Sequence, residues 1–405
     1  MRFPVALALF SLPAVACTID DIDVSVTDQY VIGGAAAPAG KWPDTVAVMW
    51  GTNPTQDQGC TGTLVAPNVV ITAGHCVIGG APTHVLVGAT KLSAPQEGQL
   101  IPIMKAIEYP NSQGSVDAGV LVLQTPVTGI EPRPIASGWA KFDIQNNAMV
   151  QLVGFGTTDK NGSVSTDALM EATTIITDYN CTKEGVGCNT AARPDGEFGA
   201  GGSGIDTCPG DSGGPVYLTT SYGTYVMGIT SRGYETNNYA CSEGGIYERP
   251  DKIVDWLDMM SGAKVARGPS PVADPPTIMT IRGEGAETKI AHNDPKMGVT
   301  HKFEITKPPG FGKAAVRDDG TLRVCPNKDV AGDDIVEVTV SDTADTTRAI
   351  TLKVPIVIAD GSPPDSCDVN DFGGDGGGCC DTRRSAGGSI PLGLVVLLAL
   401  RRRRK

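Results

Sequence analysis

The sequence predicts an all-β protein that folds as two units. Its 405 residues are too many for one ordinary domain and fit two. Glycine is abundant, at 51 residues, while aromatic residues make up only 5%, and this composition suits short strands joined by tight turns. Short β-branched or apolar runs bounded by Gly, Pro, Asn or Asp recur along the chain, as at residues 68–72 and 119–123.

Changes in composition mark the boundaries of these units. Residues 31–262 read as one β-rich unit that ends in a short helix, with Pro250 near its first turn. Residues 263–276 are rich in Pro and Ala and are predicted to be a linker. Residues 277–360 alternate apolar and polar side chains, as expected for one small β-sandwich. Residues 361–388 are Gly-rich, contain a Cys motif and are predicted to be disordered.

Two short segments of the predicted sandwich indicate its type. Residues 320–324 and 331–334 resemble segments of bacterial immunoglobulin-like or cadherin-like surface modules. No group of side chains in this unit suggests catalysis. A passive spacer is therefore favoured over an adhesive module.

The first residues of the chain predict export. Residues 1–16 have a positive start, an apolar stretch and small residues at the end, which is typical of a signal peptide. Residues 17–30 are then expected to be a propeptide. Cys17 leaves two possibilities open, lipidation as in bacterial lipoproteins or an ordinary thiol.

The opposite end predicts a second processing event. Residues 389–405 combine an apolar segment with an Arg-rich terminus, and the apolar run is too short for a spanning helix. Together with Cys379 and Cys380, this tail resembles the C-terminal sorting signals of myxobacteria. That resemblance implies a sorting peptidase as a partner and attachment at the bacterial cell surface. A plain tail anchor is the alternative.

Charge and cysteine content exclude several classes of function. Lys and Arg number 32 against 45 Asp and Glu, so the net charge is −13, and an acidic chain without a basic stripe predicts no nucleic-acid partner.

The first unit contains an even number of cysteines, which predicts disulfides in an exported protein: Cys60, Cys76, Cys181, Cys188, Cys208 and Cys241. Cys325 is alone in the second unit. Zinc is the competing use, but there is no paired Cys-x-x-Cys motif and only 4 His, so neither metal nor cofactor is predicted.

The strongest chemical signal lies at residues 206–215, where Gly-Asp-Ser-Gly-Gly-Pro surrounds Ser212. Serine is inert at neutral pH unless a base accepts its proton, and the flanking glycines let the backbone turn sharply. This segment closely resembles the nucleophile loop of the chymotrypsin/trypsin family of serine peptidases. The resemblance assigns Ser212 as the nucleophile and the backbone N–H groups of Gly210 and Ser212 as the oxyanion hole.

A histidine segment comes earlier in the chain, in the order typical of that family. His75 directly precedes Cys76, with Cys60 sixteen residues upstream, and the segment resembles the one that carries the family's general base. The resemblance implies a Cys60–Cys76 disulfide that holds this loop. Gly74 stands where Ala is usual, a change expected only to loosen the packing.

The third member of the expected triad is Asp117. It precedes the apolar run 119–123, and the segment resembles the one that carries the family's orienting aspartate. The resemblance implies two packed antiparallel β-barrels. His75 and Asp117 would come from the first barrel and Ser212 from the second, and they would meet in the cleft between them.

One further segment resembles the activation site of the family. Tyr30 precedes Val-Ile-Gly-Gly, and cleavage after Tyr30 would free the amine of Val31 to pair with Asp211. A separate activating protease is therefore expected as a partner.

The resemblance also predicts specificity for Arg or Lys. Asp206 lies six residues before Ser212, where trypsin-like members carry the carboxylate at the floor of the primary pocket. Residues 231–233, which begin with Ser231, resemble the strand that binds the substrate backbone. Gly233 and Gly245 would leave the pocket walls open, and a Cys208–Cys241 disulfide would brace them. Arg232 stands where Trp is usual and could repel basic substrate residues. The family's calcium loop is not supported.

Two function classes remain open at this stage. The first is a secreted or surface-displayed serine endopeptidase, made as a zymogen, that acts on protein or peptide substrates. The second is an inactive homologue that serves as a surface binding module. The complete set of motifs favours the first, because inactive homologues normally lack at least one triad residue.

Overall fold

The computed structural model describes residues 31–182, 187–192, 196–362 and 367–373. The chain divides into two compact units between Gly268 and Pro269, and each unit consists mainly of β-strands. In the described residues no helix is long and apolar enough to cross a membrane. The predicted signal peptide, propeptide and Arg-rich tail lie outside the described residues.

The first half of unit 1 is a closed antiparallel barrel with the strand order β2-β3-β4-β7-β6-β5. A two-residue strand β1 (Ala35–Ala36) precedes it, and a short helix α1 (Pro54–Asp57) follows its first strand. The barrel strands are β2 (Thr45–Met49), β3 (Gln58–Ala66), β4 (Val69–Thr72), β5 (His84–Val87), β6 (Gln99–Glu108) and β7 (Gly119–Leu123).

The second half of unit 1 is a six-stranded ring in which β8 pairs with both β9 and β11, and β1 adds to the outside of β9. Its strands are β8 (Met149–Gly154), β9 (Met170–Asp178), β10 (Glu197–Ala200), β11 (Pro215–Thr220), β12 (Gly223–Gly233) and β13 (Gly245–Glu248). The two barrels confirm the fold that the family resemblance implied.

Short helices complete unit 1. A 3-10 turn at Pro250–Lys252 leads into helix α2 (Val254–Ser261), which packs against β7 and ends at Gly262 with a positive φ of 70°. The other 3-10 turns are Gly74–Cys76, Pro95–Glu97, Ser112–Gly114, Gly138–Asp143 and Thr190–Ala192. The helix predicted from Pro250 onwards is therefore present as two consecutive short pieces.

The pairing of β4 with β7 forms the base of the predicted site. Every residue of both strands is buried, because one face of each strand lines the barrel and α2 covers β7 from outside. This double burial explains why both strands are continuous apolar runs rather than alternating ones. Thr72 and Gly119 are register partners, so the chain segments that follow β4 and precede β7 leave the sheet side by side.

Unit 2 is a sandwich of two four-stranded sheets, β14-β16-β19-β18 and β15-β21-β20-β17, in which only the β15–β21 pair is parallel among the described strands. Its strands are β14 (Val272–Asp274), β15 (Ile278–Ile281), β16 (Ala286–Ala291), β17 (His301–Lys307), β18 (Gly312–Val316), β19 (Thr321–Pro326), β20 (Gly332–Asp342) and β21 (Ala349–Ala359). The predicted sandwich is confirmed.

The predicted linker at 263–276 needs correction. Val265 is buried in unit 1, and the backbone N–H of Ala266 donates to Val65, 2.7 Å away. The later part of the segment contains β14, an edge strand of unit 2. Pro-rich composition did not distinguish a linker from an edge strand, because proline favours extended backbone in both.

The prediction that Cys325 is unpaired was wrong. Cys325 forms a disulfide with Cys367, 42 residues later, inside the segment predicted to be a disordered linker. The Arg323 side chain supports this attachment, because it donates to Asp368 O at 2.9 Å and to Glu287 at 3.1 Å. Residues 367–373 therefore belong to unit 2.

Candidate active site

His75 lies in the 3-10 turn that follows β4. The disulfide between Cys60 on β3 and Cys76 is formed as predicted, and it fixes this turn to the barrel wall. The imidazole is partly exposed, with 40% of the side chain accessible, so one edge of the ring is bound while the other faces solvent.

Asp117 binds His75 in two ways. Its Oδ1 accepts the backbone N–H of His75 at 2.8 Å, and its Oδ2 lies 2.8 Å from His75 Nδ1. The Ser231 hydroxyl also donates to Oδ2, at 2.7 Å. Burial works against ionisation of Asp117, but the donors from His75 and Ser231 outweigh it and hold the pKa of the carboxyl below its ordinary value. A carboxylate so placed keeps the proton of His75 on Nδ1 and leaves Nε2 as the acceptor.

Ser212 is held at the junction of the two barrels. Its carbonyl accepts the N–H of Thr61 at 2.8 Å and lies 3.7 Å from Cys76 Sγ, next to His75 in the chain. Gly213 permits this approach, since its φ is 82° and a Cβ there would lie 2.0 Å from Thr72 Oγ1. Among the described contacts the Ser212 hydroxyl forms no hydrogen bond with His75; such bonds often tighten only when substrate binds.

The loop before Ser212 is held in place by hydrogen bonds from strand β3. Gly210 has a φ of 97°, and its carbonyl accepts from Gln58 Nε2 at 3.1 Å and from Thr61 Oγ1 at 2.9 Å. Within the described structure, the N–H groups of Gly210 and Ser212 donate to no other group. They are thus available to an oxyanion.

Asp211 belongs to this loop, and its side chain is fully buried. Its two oxygens accept the N–H groups of Gly156 at 2.7 Å and Cys208 at 2.8 Å, and no cation of the described residues pairs with it. Burial raises the pKa of the Asp211 carboxyl to about 7, and the negative charge of Asp206 adds to the effect. Val31 lies in the apolar core of the same barrel, with a strained φ of 39°.

Asp206 lies at the end of the expected primary pocket with 1% of its surface exposed. It accepts three backbone N–H groups within 3.0 Å: those of Thr207, Ser242 and Gly244. Burial raises its pKa to about 6 despite these donors. The predicted Cys208–Cys241 disulfide is formed, and a Cβ on Gly245 would lie 3.4 Å from Asp206, so that wall is kept small.

Two family models match this chain, one in each unit. The family model described as Trypsin matches residues 31–257. The chain belongs to the trypsin family. The family model for a bacterial Ig domain matches residues 269–355, which assigns unit 2 to the immunoglobulin-like rather than the cadherin-like alternative.

Within the aligned regions, individual relatives are between a fifth and a third identical to this trypsin-family chain. A trypsin of Saccharopolyspora erythraea is 32% identical over 56% of this chain and 96% of its own length. Serine protease 56 of Homo sapiens is 30% identical over 59% of this chain, and the match covers 40% of that larger protein. The solved structure of the secreted serine protease VesC from Vibrio cholerae is 20% identical, covering 82% of this chain and 72% of that chain with a TM-score of 0.46.

Arg232 differs from the sequence-based expectation for this trypsin-family site. Its guanidinium bends back to Glu197 at 2.9 Å instead of presenting an uncompensated charge to the substrate strand. Sequence reasoning also missed Glu197 and Glu248. The sequence signal for them was an acidic residue at one end of each of two short, otherwise uncharged strands, β10 and β13.

Two groups of side chains lie close enough together to suggest metal binding, Cys60–His75–Cys76 and Cys181–Cys188–Glu197. In both groups the cysteine sulfurs form disulfides, including the Cys181–Cys188 bridge. Oxidised sulfur lacks the thiolate charge that binds zinc, so these donor sets do not fit a metal.

Gly74 does not loosen the packing beside His75, because another side chain fills the space. A Cβ at this position would lie 2.6 Å from Ser112 Cβ and 3.0 Å from the carbonyl oxygen of Ala118. Ser112 therefore occupies the space that an alanine methyl would fill. The expectation that glycine instead of alanine at position 74 would loosen the packing was therefore wrong.

Gly74→Ala is expected to destabilise unit 1 by about 1–3 kcal/mol, because the new methyl overlaps buried atoms. Thermal unfolding of the purified chain measures this. The double substitution Gly74→Ala with Ser112→Gly serves as the control and should recover much of the loss. Equal melting temperatures for Gly74→Ala and the native chain would contradict the packing argument.

Proposed function

We propose that this chain is a secreted serine endopeptidase, made as a zymogen, that cleaves peptide bonds after Arg or Lys. The observation that carries the proposal is the double hydrogen bond from His75 to Asp117 at the place where Ser212 joins the two barrels. The alternative, an inactive homologue that binds partners, gains no support from this arrangement.

The proposed reaction uses the three side chains in sequence. Ser212 attacks the peptide carbonyl while Nε2 of His75 accepts its proton, and the resulting imidazolium is stabilised by Asp117. The N–H groups of Gly210 and Ser212 hold the oxyanion of the tetrahedral intermediate. His75 then returns the proton to the departing amine, and water repeats the cycle on the acyl-enzyme.

Ser212→Ala is expected to lower kcat for an amide substrate by about a millionfold, because the triad acts as a unit. The matched control is Ser221→Ala, which changes an exposed serine on the turn between β11 and β12. A serine-directed phosphonate, followed by mass spectrometry, should label the activated native chain at Ser212 only. Labelling that persists in Ser212→Ala would exclude this residue as the nucleophile.

The proposed preference for Arg or Lys depends on the buried Asp206. Asp206→Ser should reduce kcat/KM after Arg by about 100-fold or more, because the substrate cation would lose its desolvated partner. Cleavage-site profiling of the native enzyme and the variant measures the change. A native preference for Phe, Leu or Ala before the cut would show that the pocket selects apolar residues instead.

The proposed zymogen switch depends on Asp211. In the uncleaved chain its raised pKa, about 7, means that the folded state holds a proton more tightly than the unfolded one does. This contribution to stability is complete below about pH 4 and is lost as the pH rises through about 7.

Cleavage after Tyr30 would supply the Val31 amine as a partner for Asp211. The neutral ring of Tyr30 suits the Asp206 pocket poorly, so a separate activating protease is proposed.

Asp211→Asn should therefore be cut at Tyr30–Val31 by an added protease that accepts aromatic residues, yet remain inactive. In the native chain the same cut should raise the melting temperature at pH 7 and start peptide hydrolysis. N-terminal sequencing, calorimetry and an amidase assay follow the three changes. Full activity of cut Asp211→Asn would refute the switch.

Export and attachment at the cell surface are also part of the proposal. The four disulfides of the described residues suit an oxidising compartment. A sorting peptidase is proposed to act near Cys379 and Cys380. Removing residues 379–405 should release the protease into the medium, whereas intact Arg-rich termini on cell-bound protein would argue against processing.

A further inference from the structure

Two glutamates lie buried side by side next to the proposed catalytic residues. Glu197 on β10 and Glu248 on β13 are register partners, with 2% and 0% of their surfaces exposed. Neither carboxyl oxygen of Glu248 makes a hydrogen bond of normal geometry within the described residues. Placing two carboxyls together away from water is costly unless a cation or a proton compensates them.

Arg232 supplies that cation from the neighbouring strand β12. Its Nη2 donates to Glu197 Oε1 at 2.9 Å and to the carbonyl oxygen of Gly187 at 2.8 Å, while Nη1 lies 3.7 Å from Glu248 Oε1. The guanidinium side chain is 35% exposed, but both of its terminal nitrogens point inward to these partners. Arg232 is therefore held by the protein before any substrate arrives.

The same guanidinium reaches the proposed triad through one hydroxyl. Arg232 Nη1 donates to Ser231 Oγ at 3.1 Å, and Ser231 Oγ donates to Asp117 Oδ2 at 2.7 Å. Because an arginine can only donate, it occupies a lone pair of Ser231 and leaves the single hydroxyl proton for Asp117. The direction of both hydrogen bonds is thus set by Arg232.

Three charged groups face Glu248: Glu197 from β10, Arg232 from β12, and Asp117 from the turn before β7. Burial, and next the charge of Glu197, raise the pKa of Glu248 well above its ordinary value. The surroundings of Glu248 therefore favour its protonated form. One guanidinium carries one positive charge, so a single negative charge on this pair of carboxyls is enough to balance Arg232.

We propose that Arg232, clamped by the Glu197–Glu248 pair, is a positioning residue that holds the Ser231 hydroxyl on Asp117 and so keeps His75 oriented. This inference rests on the proposed peptidase function. Its consequence is that one negative charge, from either glutamate, suffices to hold the clamp.

The first test replaces Arg232 and measures kcat and KM on a small amide that occupies only the primary pocket. Arg232→Met should lower kcat about 10- to 100-fold with KM nearly unchanged, since a hydrogen bond to a charged network is lost and no substrate contact is. Arg232→Lys should regain the thermal stability that Arg232→Met loses, but it should not regain kcat. One ammonium cannot bind both Glu197 and Ser231 as the guanidinium does. A raised KM with native kcat in Arg232→Met would show that Arg232 contacts substrate instead.

The second test replaces the glutamates. Glu197→Gln and Glu248→Gln should each cost no more than about threefold in kcat, because the remaining carboxylate pairs with Arg232. The double variant should lose as much as Arg232→Met. The matched control is Glu235→Gln, which changes an exposed glutamate shortly after the end of β12. Losses that simply multiply in the double variant would contradict a shared charge.

A third measurement does not need catalysis. In a Ser212→Ala background, thermal stability should fall as the pH rises through the raised pKa values of Asp206, Asp211 and Glu248, and Glu248→Gln should make that fall smaller by removing one of the three contributions. If the native chain has no peptidase activity, the proposed function is refuted. The stability measurement would still test the clamp, because it does not depend on activity. An unchanged pH dependence in Glu248→Gln would refute the clamp even in an active enzyme.

Discussion

The hydrogen-bonded pair formed by His75 and Asp117 is the interaction on which the rest of the site depends. It forms because β4 and β7 are register partners at Thr72 and Gly119, so the segments that carry the two side chains leave the sheet together. The Cys60–Cys76 disulfide and the fully buried strands prevent either segment from moving independently. A rigid barrel edge thus supplies the orientation that an isolated imidazole lacks.

The sequence revealed those parts of the site that are local in the chain. Ser212 and Asp211 are recognisable because a sharp backbone turn and its glycines must be consecutive. By contrast, Glu197 and Glu248 meet only through strand register, and neither has a distinctive neighbour in sequence. Cys367 was missed for the same reason, since nothing near it indicates that a strand 42 residues earlier completes the disulfide.

Gly74 shows a further limit of sequence reasoning. A family comparison registers only that alanine is replaced by a smaller residue, which suggests a cavity. The structure instead places Ser112, from a turn nearly forty residues later, in the vacated space. Compensation of this kind is a property of two distant segments together, because close packing depends on which side chains meet and not on either one alone.

Three aspartates of the site, Asp117, Asp206 and Asp211, differ in what compensates their charge. Asp117 receives donors from side chains and its pKa is lowered, whereas Asp206 and Asp211 receive only backbone N–H groups and have raised pKa values. The charge of Asp206 also raises the pKa of Asp211, and this repulsion acts equally in both directions. Above about pH 7, where Asp211 of the uncleaved chain is ionised, an ammonium bound to it would offset this repulsion and make ionisation of Asp206 easier. Under the proposed function, freeing the Val31 amine prepares the pocket for a cationic substrate by electrostatics as well as by shape.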